Sequence, residues 1–363
     1  MIVSSTRWVG TSSISTVVET SVDVSFCHFF QYIIPIPWSK NCGTWKFPST
    51  VYQHTACLPL VTNTLIDYTF LHYTLLQKMH SRYALLFPAL ASLASAWAPP
   101  SYSGYNLLWA DTFDGPGGAS PNTNNWNIIT GNLGVNGELE TYSSSNRNVQ
   151  LSGGSTIQLV PWADGSASGG WTSGRIESKY TFTPAAGVVT LAEAQIRFGT
   201  NDISNKQGIW PAFWMLGDSL RHGTSWPACG ELDVLETVDG QLTGYGTVHC
   251  NVYPGGICNE PNGRSGNIGI PDQSWHTWRI TWDRTSWNWQ TETITWYMDG
   301  RQFFQINGAT IGNSDVWATL CHNPLYFILN VAVGGGWPGY PNSATLGGYG
   351  SMMEVAYVAV FQT

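Results

Sequence analysis

The chain has 363 residues, of which 43% are hydrophobic and only 10% charged, and its formal net charge is −8. This length can hold two domains, but an acidic chain with no basic patch is a poor partner for nucleic acid. An uncharged partner suits such a surface better than an anionic one.

Residues 1–78 show no sustained helical or strand period, little charge, and scattered Cys27, Cys42 and Cys57. They read as a doubtful N-terminal extension, an upstream stretch translated in error, and are set apart from the fold. A disordered extension fits less well, because the stretch is rich in aromatics. From Met79, "MHSRYALLFPALASLASAWAPP" has a short basic start, an apolar run from Tyr83 to Ala96, and small residues at Ala94 and Ala96. That is the layout of a secretory signal peptide over 79–96, with cleavage expected after Ala96. The run falls short of the about 20 apolar residues that span a bilayer.

The mature chain is then 97–363, expected to be one catalytic domain, secreted and extracellular. Five of the 15 basic and three of the 23 acidic residues precede Trp97, leaving 10 against 20. The ending "VAYVAVFQT" carries no anchor signal, so a soluble product without a membrane anchor, acting as a monomer, is expected. No Asn-x-Ser/Thr acceptor occurs after Trp97. Four cysteines remain there: Cys229, Cys250, Cys258 and Cys321. In a secreted chain an even count favours disulfides. The Pro-Gly-Gly turn in "HCNVYPGGICN" favours Cys250–Cys258, which leaves Cys229–Cys321 by elimination. The spacings match no usual zinc pattern.

Along the mature chain, short apolar or alternating segments are separated by turn signals: "STIQLV", "EAQIRF", "TWRITW", "LYFILNVAV" and "MEVAYVAVF". In "TITWYMDGRQFFQI" an Asp-Gly pair between two runs signals a hairpin. No long stretch has helical period. The pattern predicts an all-β sandwich of two stacked antiparallel sheets. Sixteen of the 19 tryptophans fall in this region. Trp278, Trp282 and Trp296 are expected in the core, whereas Trp210, Trp214 and Trp226 lie near a cluster of acids and suit a groove that stacks sugar rings.

That cluster is "GELDVLETVDG", with Glu231, Asp233 and Glu236 within six positions. Strand alternation puts Glu231 and Asp233 on one face with Leu232 and Val234 on the other. Glu236 is an odd number of steps from both, so simple alternation buries it on the apolar side. A β-bulge near Val234–Leu235, with Leu235 as the inserted residue, returns it to the face of the other two. Paired carboxylates beside aromatic platforms point to glycoside hydrolysis.

The stretch "GIWPAFWMLG…WPACGELDVLE…GTVHCN…LNVAVGGGWPG" resembles glycoside hydrolase family 16, most of all its secreted endo-1,3-β-glucanases with the E-x-D-x-x-E signature. The similarity runs from about Tyr105 to the C-terminus. It implies a concanavalin-like β-jelly roll with a concave substrate cleft, and a retaining endo-β-glycosidase acting on internal β-1,3 linkages of β-glucan. It implies Glu231 as nucleophile, Glu236 as general acid/base and Asp233 as the residue tuning the pair. His249 matches a position near the cleaved sugar, and Trp337 a motif at the cleft edge. Arg175 and Glu177 share a strand face and suit distal subsites. "NGELETY" departs from the usual run there. No cofactor is expected, although the resemblance allows a structural calcium ion on the sandwich.

Within the same chemistry, β-1,3-galactan, mixed-linkage glucan or glycosyl transfer are the alternatives. A non-catalytic glycan-binding lectin on the same fold has no use for the three acids.

Overall fold

The computed structural model describes residues 97–363; the extension 1–78 and the signal segment 79–96 lie outside them. Two large antiparallel sheets form the fold, the β-jelly-roll sandwich expected. The seven-stranded sheet runs in the order Arg264–Gly269, Thr243–His249, Glu231–Glu236, Ile209–Gly217, Leu325–Val333, Arg175–Phe182 and Trp126–Ile128. The eight-stranded sheet runs Arg301–Asn307, Thr293–Met298, His276–Asp283, Val189–Phe198, Met353–Gln362, Ile157–Leu159 and Val149–Leu151. Its eighth strand, Asn106–Asp111, also pairs with Met353–Gln362. A small sheet of Glu140–Tyr142, Trp171–Ser173 and Trp162–Ala163 completes the structure.

The expected hairpin joins Thr293–Met298 to Arg301–Asn307, with Asp299 at φ 48° and Gly300 at φ 77°. Two consecutive positive φ values match the twist of the flanking strands, which is why Asp-Gly occupies the turn.

Between the sheets lies one core in which Trp278, Trp282 and Trp296 are fully buried, as their placement in alternating strands requires. Room for two of these indoles comes from the strand "TGYGTVH". A Cβ on Gly244 would stand 2.2 Å from the Trp278 ring, and one on Gly246 would stand 2.5 Å from Trp296. Glycine at these inward positions lets the rings close against the backbone of the seven-stranded sheet.

The strand Leu325–Val333 is buried along its whole length. Phe327 and Leu329 enter the core, while Tyr326 and Ile328 pack with Leu216 and Cys229 in a separate cluster. Alternation places that cluster on the opposite face, the one that carries the cleft. Met353–Gln362 is similarly covered on its outer side by Tyr102, Tyr105 and Trp275.

Two differences from the sequence expectations concern helices and cysteines. A short helix spans Ser314–Cys321, started by Asn313, whose side chain accepts from the N–H groups of Asp315 and Val316. Such a cap nucleates a helix too short to show a clear period. The disulfide Cys250–Cys258 is present, but Cys229 and Cys321 are free and buried, so the second pairing is corrected. Cys229 packs with Leu216, Tyr326 and Ile328, whereas Cys321 sits in the core between the sheets, its sulfur 3.7 Å from Glu292. The sulfurs therefore occupy different clusters.

Candidate active site

The seven-stranded sheet brings the three acids together through its register. On the strand Glu231–Glu236, Asp233 lies opposite Thr247 and Glu236 opposite Tyr245, three steps against two. On the other side, Asp233 faces Trp214 and Glu236 faces Ala212. Leu235 pairs with Phe213, so Val234 is the residue left over, and the expectation of Leu235 as the insertion is corrected by one position. Val234 and Leu235 both turn into the core, and the parity of the strand changes between Asp233 and Glu236. From within the core, the Trp296 indole donates to the Asp233 carbonyl oxygen at 2.7 Å, satisfying backbone in the bulged segment.

Each of the two outer acids holds an indole N–H. Trp226 donates to Glu231 Oε2 at 3.0 Å, and Trp210 donates to Glu236 Oε1 at 2.9 Å. Asp233 is buried between them, and its Oδ2 has no hydrogen-bond partner. His249 stands directly across the ladder from Glu231. Its Nε2 is 3.5 Å from Asp233 Oδ2 and 3.9 Å from Glu231 Oε1.

Burial raises the pKa of all three carboxyls, because a charge removed from water is disfavoured. Asp233 goes well above the carboxylate range, through burial first and then the charges of Glu236 and Glu231. Glu236 is pushed up to about 7 by burial, with the Trp210 N–H pulling back and the Glu231 charge adding to the rise. Burial also raises Glu231, opposed by the His249 charge and the Trp226 N–H. The Trp226 bond favours ionised Glu231, though burial outweighs it. Glu231 thus has one hydrogen-bond donor, the Trp226 indole, and the His249 ring 3.9 Å away to favour its anion against burial.

Aromatic rings frame this floor. Trp226 is 37% exposed and lies 6.1 Å from Tyr253, itself 57% exposed. Trp337 is 46% exposed and meets Trp210 edge-on at 5.4 Å and Tyr245 at 5.2 Å. Trp214 is half-buried and donates to Asn330 Oδ1 at 2.7 Å. Arg175 is buried beneath it, 5.0 Å from its ring, and is ion-paired to Glu177 at 2.7 Å. Its guanidinium stiffens the floor under Trp214 more than it reaches into the cleft. Glu177 in turn lies 3.5 Å from Arg221.

Three further polar residues were not singled out from the sequence. Asn330 ties Trp214 to the Tyr142 hydroxyl, to which its amide donates at 3.0 Å. Glu138, hydrogen-bonded by Asn136, is pushed up to about 8 by burial and the neighbouring Glu140 charge. Glu260 is buried behind His249. The signal for Glu260 was a single acid two residues beyond Cys258, in a loop that the disulfide turns back toward His249.

Comparison with known proteins identifies the family and the fold. The family model of glycosyl hydrolases family 16 matches residues 136–358, which include all three acids. A glucan endo-1,3-beta-glucosidase A1 from Niallia circulans is 29% identical over 72% of this chain, but the match spans only 39% of that protein's length. A beta-glucanase from Rhodothermus marinus is 27% identical over 79% of this chain and 96% of its own. Among solved structures, an endo-1,3-beta-glucanase from Streptomyces sioyaensis superposes with a TM-score of 0.68 at 36% identity, covering 73% of this chain and 99% of that one. With the family model matching more than half of the sequence and the sandwich shared with a solved endo-1,3-beta-glucanase, the chain belongs to glycosyl hydrolase family 16.

Proposed function

We propose that the protein is an endo-β-glucanase that cleaves internal β-1,3 linkages of laminarin-type or mixed-linkage glucan by double displacement. The observation that carries this reading is the bulge, which turns Glu231, Asp233 and Glu236 onto one cleft face between exposed indoles. Glu231 attacks the anomeric carbon and forms a glycosyl ester as the bond to the leaving oxygen breaks. Glu236, protonated near neutral pH, delivers its proton to that oxygen. Glu236 then takes a proton from water, which attacks the same carbon and frees Glu231. Two carboxyl groups and water supply every step, so we propose hydrolysis without a cofactor.

Trp226 and Trp337 flank the acids and offer flat apolar faces to pyranose rings. Reducing-sugar release from laminarin, lichenan and β-1,3-galactan, measured side by side, tests the substrate class. Laminarin or lichenan is expected to be cleaved by the wild type, and galactan cleavage alone would reassign it.

Among the described residues no helix is long and apolar enough to cross a membrane. We propose export through the segment 79–96 and action as a monomer outside the cell. Expression from Met79 should yield secreted protein beginning near Trp97 that elutes at monomer size. Secreted protein retaining residues before Met79 would refute the export route.

A further inference from the structure

Behind the acids, the loop between Cys250 and Arg264 folds back on itself. The Cys250–Cys258 disulfide closes it, and Gly255 pairs with Glu260 across it. This brings Glu260 into the interior, where both of its oxygens are engaged. Oε1 accepts the Cys250 N–H at 2.8 Å, and Oε2 lies 2.6 Å from His249 Nδ1. With Nδ1 bound as a donor to this carboxyl, the imidazole is oriented so that Nε2 faces the cleft acids. There it meets Asp233 Oδ2, the oxygen with no other hydrogen-bond partner, and Glu231 Oε1.

We propose that Glu260 is a positioning residue that holds His249 as a cation against Glu231 and Asp233, so that Glu231 is ionised when substrate arrives. The proposal rests on the reading of Glu231 as nucleophile. His249 is approached by Glu231, Asp233 and Glu236 from the strand Glu231–Glu236 and by Glu260 from the loop, while Arg175 acts on Glu231 from the strand Arg175–Phe182 of the same sheet. Burial pulls the imidazole down, but the bond to Glu260 and the charges of Glu231, Glu260 and Glu236 outweigh it and raise its pKa. An imidazolium beside Glu231 lowers the cost of the carboxylate. Remove the Glu260 charge and the imidazole gives up its proton more easily. Glu231 then ionises at higher pH.

The test is the pH dependence of kcat/KM for Glu260→Gln, in wild-type and His249→Gln backgrounds. Glutamine keeps the shape and one acceptor but removes the charge. In the wild-type background the acid limb should move up by about half a unit to one unit, with a several-fold loss in kcat/KM at pH 5 and little change in KM. In the His249→Gln background the same substitution should shift nothing further. An unmoved acid limb, or an equal shift in both backgrounds, overturns the proposal and leaves Glu260 a structural support. Imidazole ¹⁵N NMR of the wild type provides a second readout that needs no variant. His249 should stay doubly protonated above the ordinary imidazole value of 6.5, and a ring that turns neutral at or below that value overturns the proposal. Failure of the nucleophile reading would show separately, as retained turnover in Glu231→Gln.

Discussion

Trp296 reaches from the core to the backbone of Asp233, its indole N–H 2.7 Å from the carbonyl oxygen. This contact couples the packing between the sheets to the one segment where the catalytic strand breaks its alternation. Trp296→Phe keeps most of the ring volume and removes the donor. The buried carbonyl then lacks this donor, at a cost of about 1–3 kcal/mol. Urea unfolding should report that loss, with activity falling at least several-fold as the bulge relaxes. A variant as stable and active as wild type would show that the bulge does not depend on this bond.

The extra residue of the bulge is Val234, and its removal should restore simple alternation. Without Val234 the strand reads Glu-Leu-Asp-Leu-Glu, with all three acids on one face. Without Leu232, Glu231 and Asp233 become neighbours and one of them must leave the cleft. Thermal melting of the two deletions should rank the Val234 deletion well above the Leu232 deletion. Equal melting temperatures would contradict the register described here.

Glu236 links catalysis to stability. Its ordinary pKa of 4.5 rises to about 7 in the fold, so between these values the folded protein holds a proton that the unfolded chain has released. Stability contributed by this group is therefore present below about 4.5 and is lost as pH rises toward 7. Glu236→Gln removes the buried charge, and should be inactive yet melt several degrees higher than wild type at pH 8. The two proteins should melt nearly together at pH 4. Equal melting temperatures at pH 8 would mean the carboxylate is not held at a cost.

The Trp210 N–H lowers the pKa of Glu236, because it bonds the charged form. Trp210→Phe removes that bond, so the acid should keep its proton to higher pH. The alkaline limb of kcat/KM should move up by about one unit, even as overall activity drops. A limb that moves down or stays fixed would separate Trp210 from the acid.

Much of this site was legible along the chain because parity is a local property. The odd spacing of Glu236 from Asp233 demanded a bulge, and the turn in "HCNVYPGGICN" announced its own disulfide. What escaped depended on contacts between distant segments. Cys229 and Cys321 are separated by the way Leu325–Val333 sends alternate residues to opposite faces, which no count of cysteines reveals. Asn330 and Glu260 gain their roles only once the sheet and the closed loop bring them to Trp214 and His249. Arg175 sits on the expected face, but its burial beneath Trp214 follows from a partner two strands away.

Glu231→Gln and Glu236→Gln should each lose nearly all hydrolysis with unchanged circular dichroism. Turnover of even a tenth of wild type in either variant would remove that acid from the chemistry.

The central claim is that Glu231 attacks the anomeric carbon, so that two inversions preserve its configuration. Proton NMR of the first product released from a β-1,3-glucan reads this directly, before mutarotation mixes the anomers. The β-anomer should appear first. Initial release of the α-anomer would mean a single displacement by water, and would contradict the role assigned to Glu231.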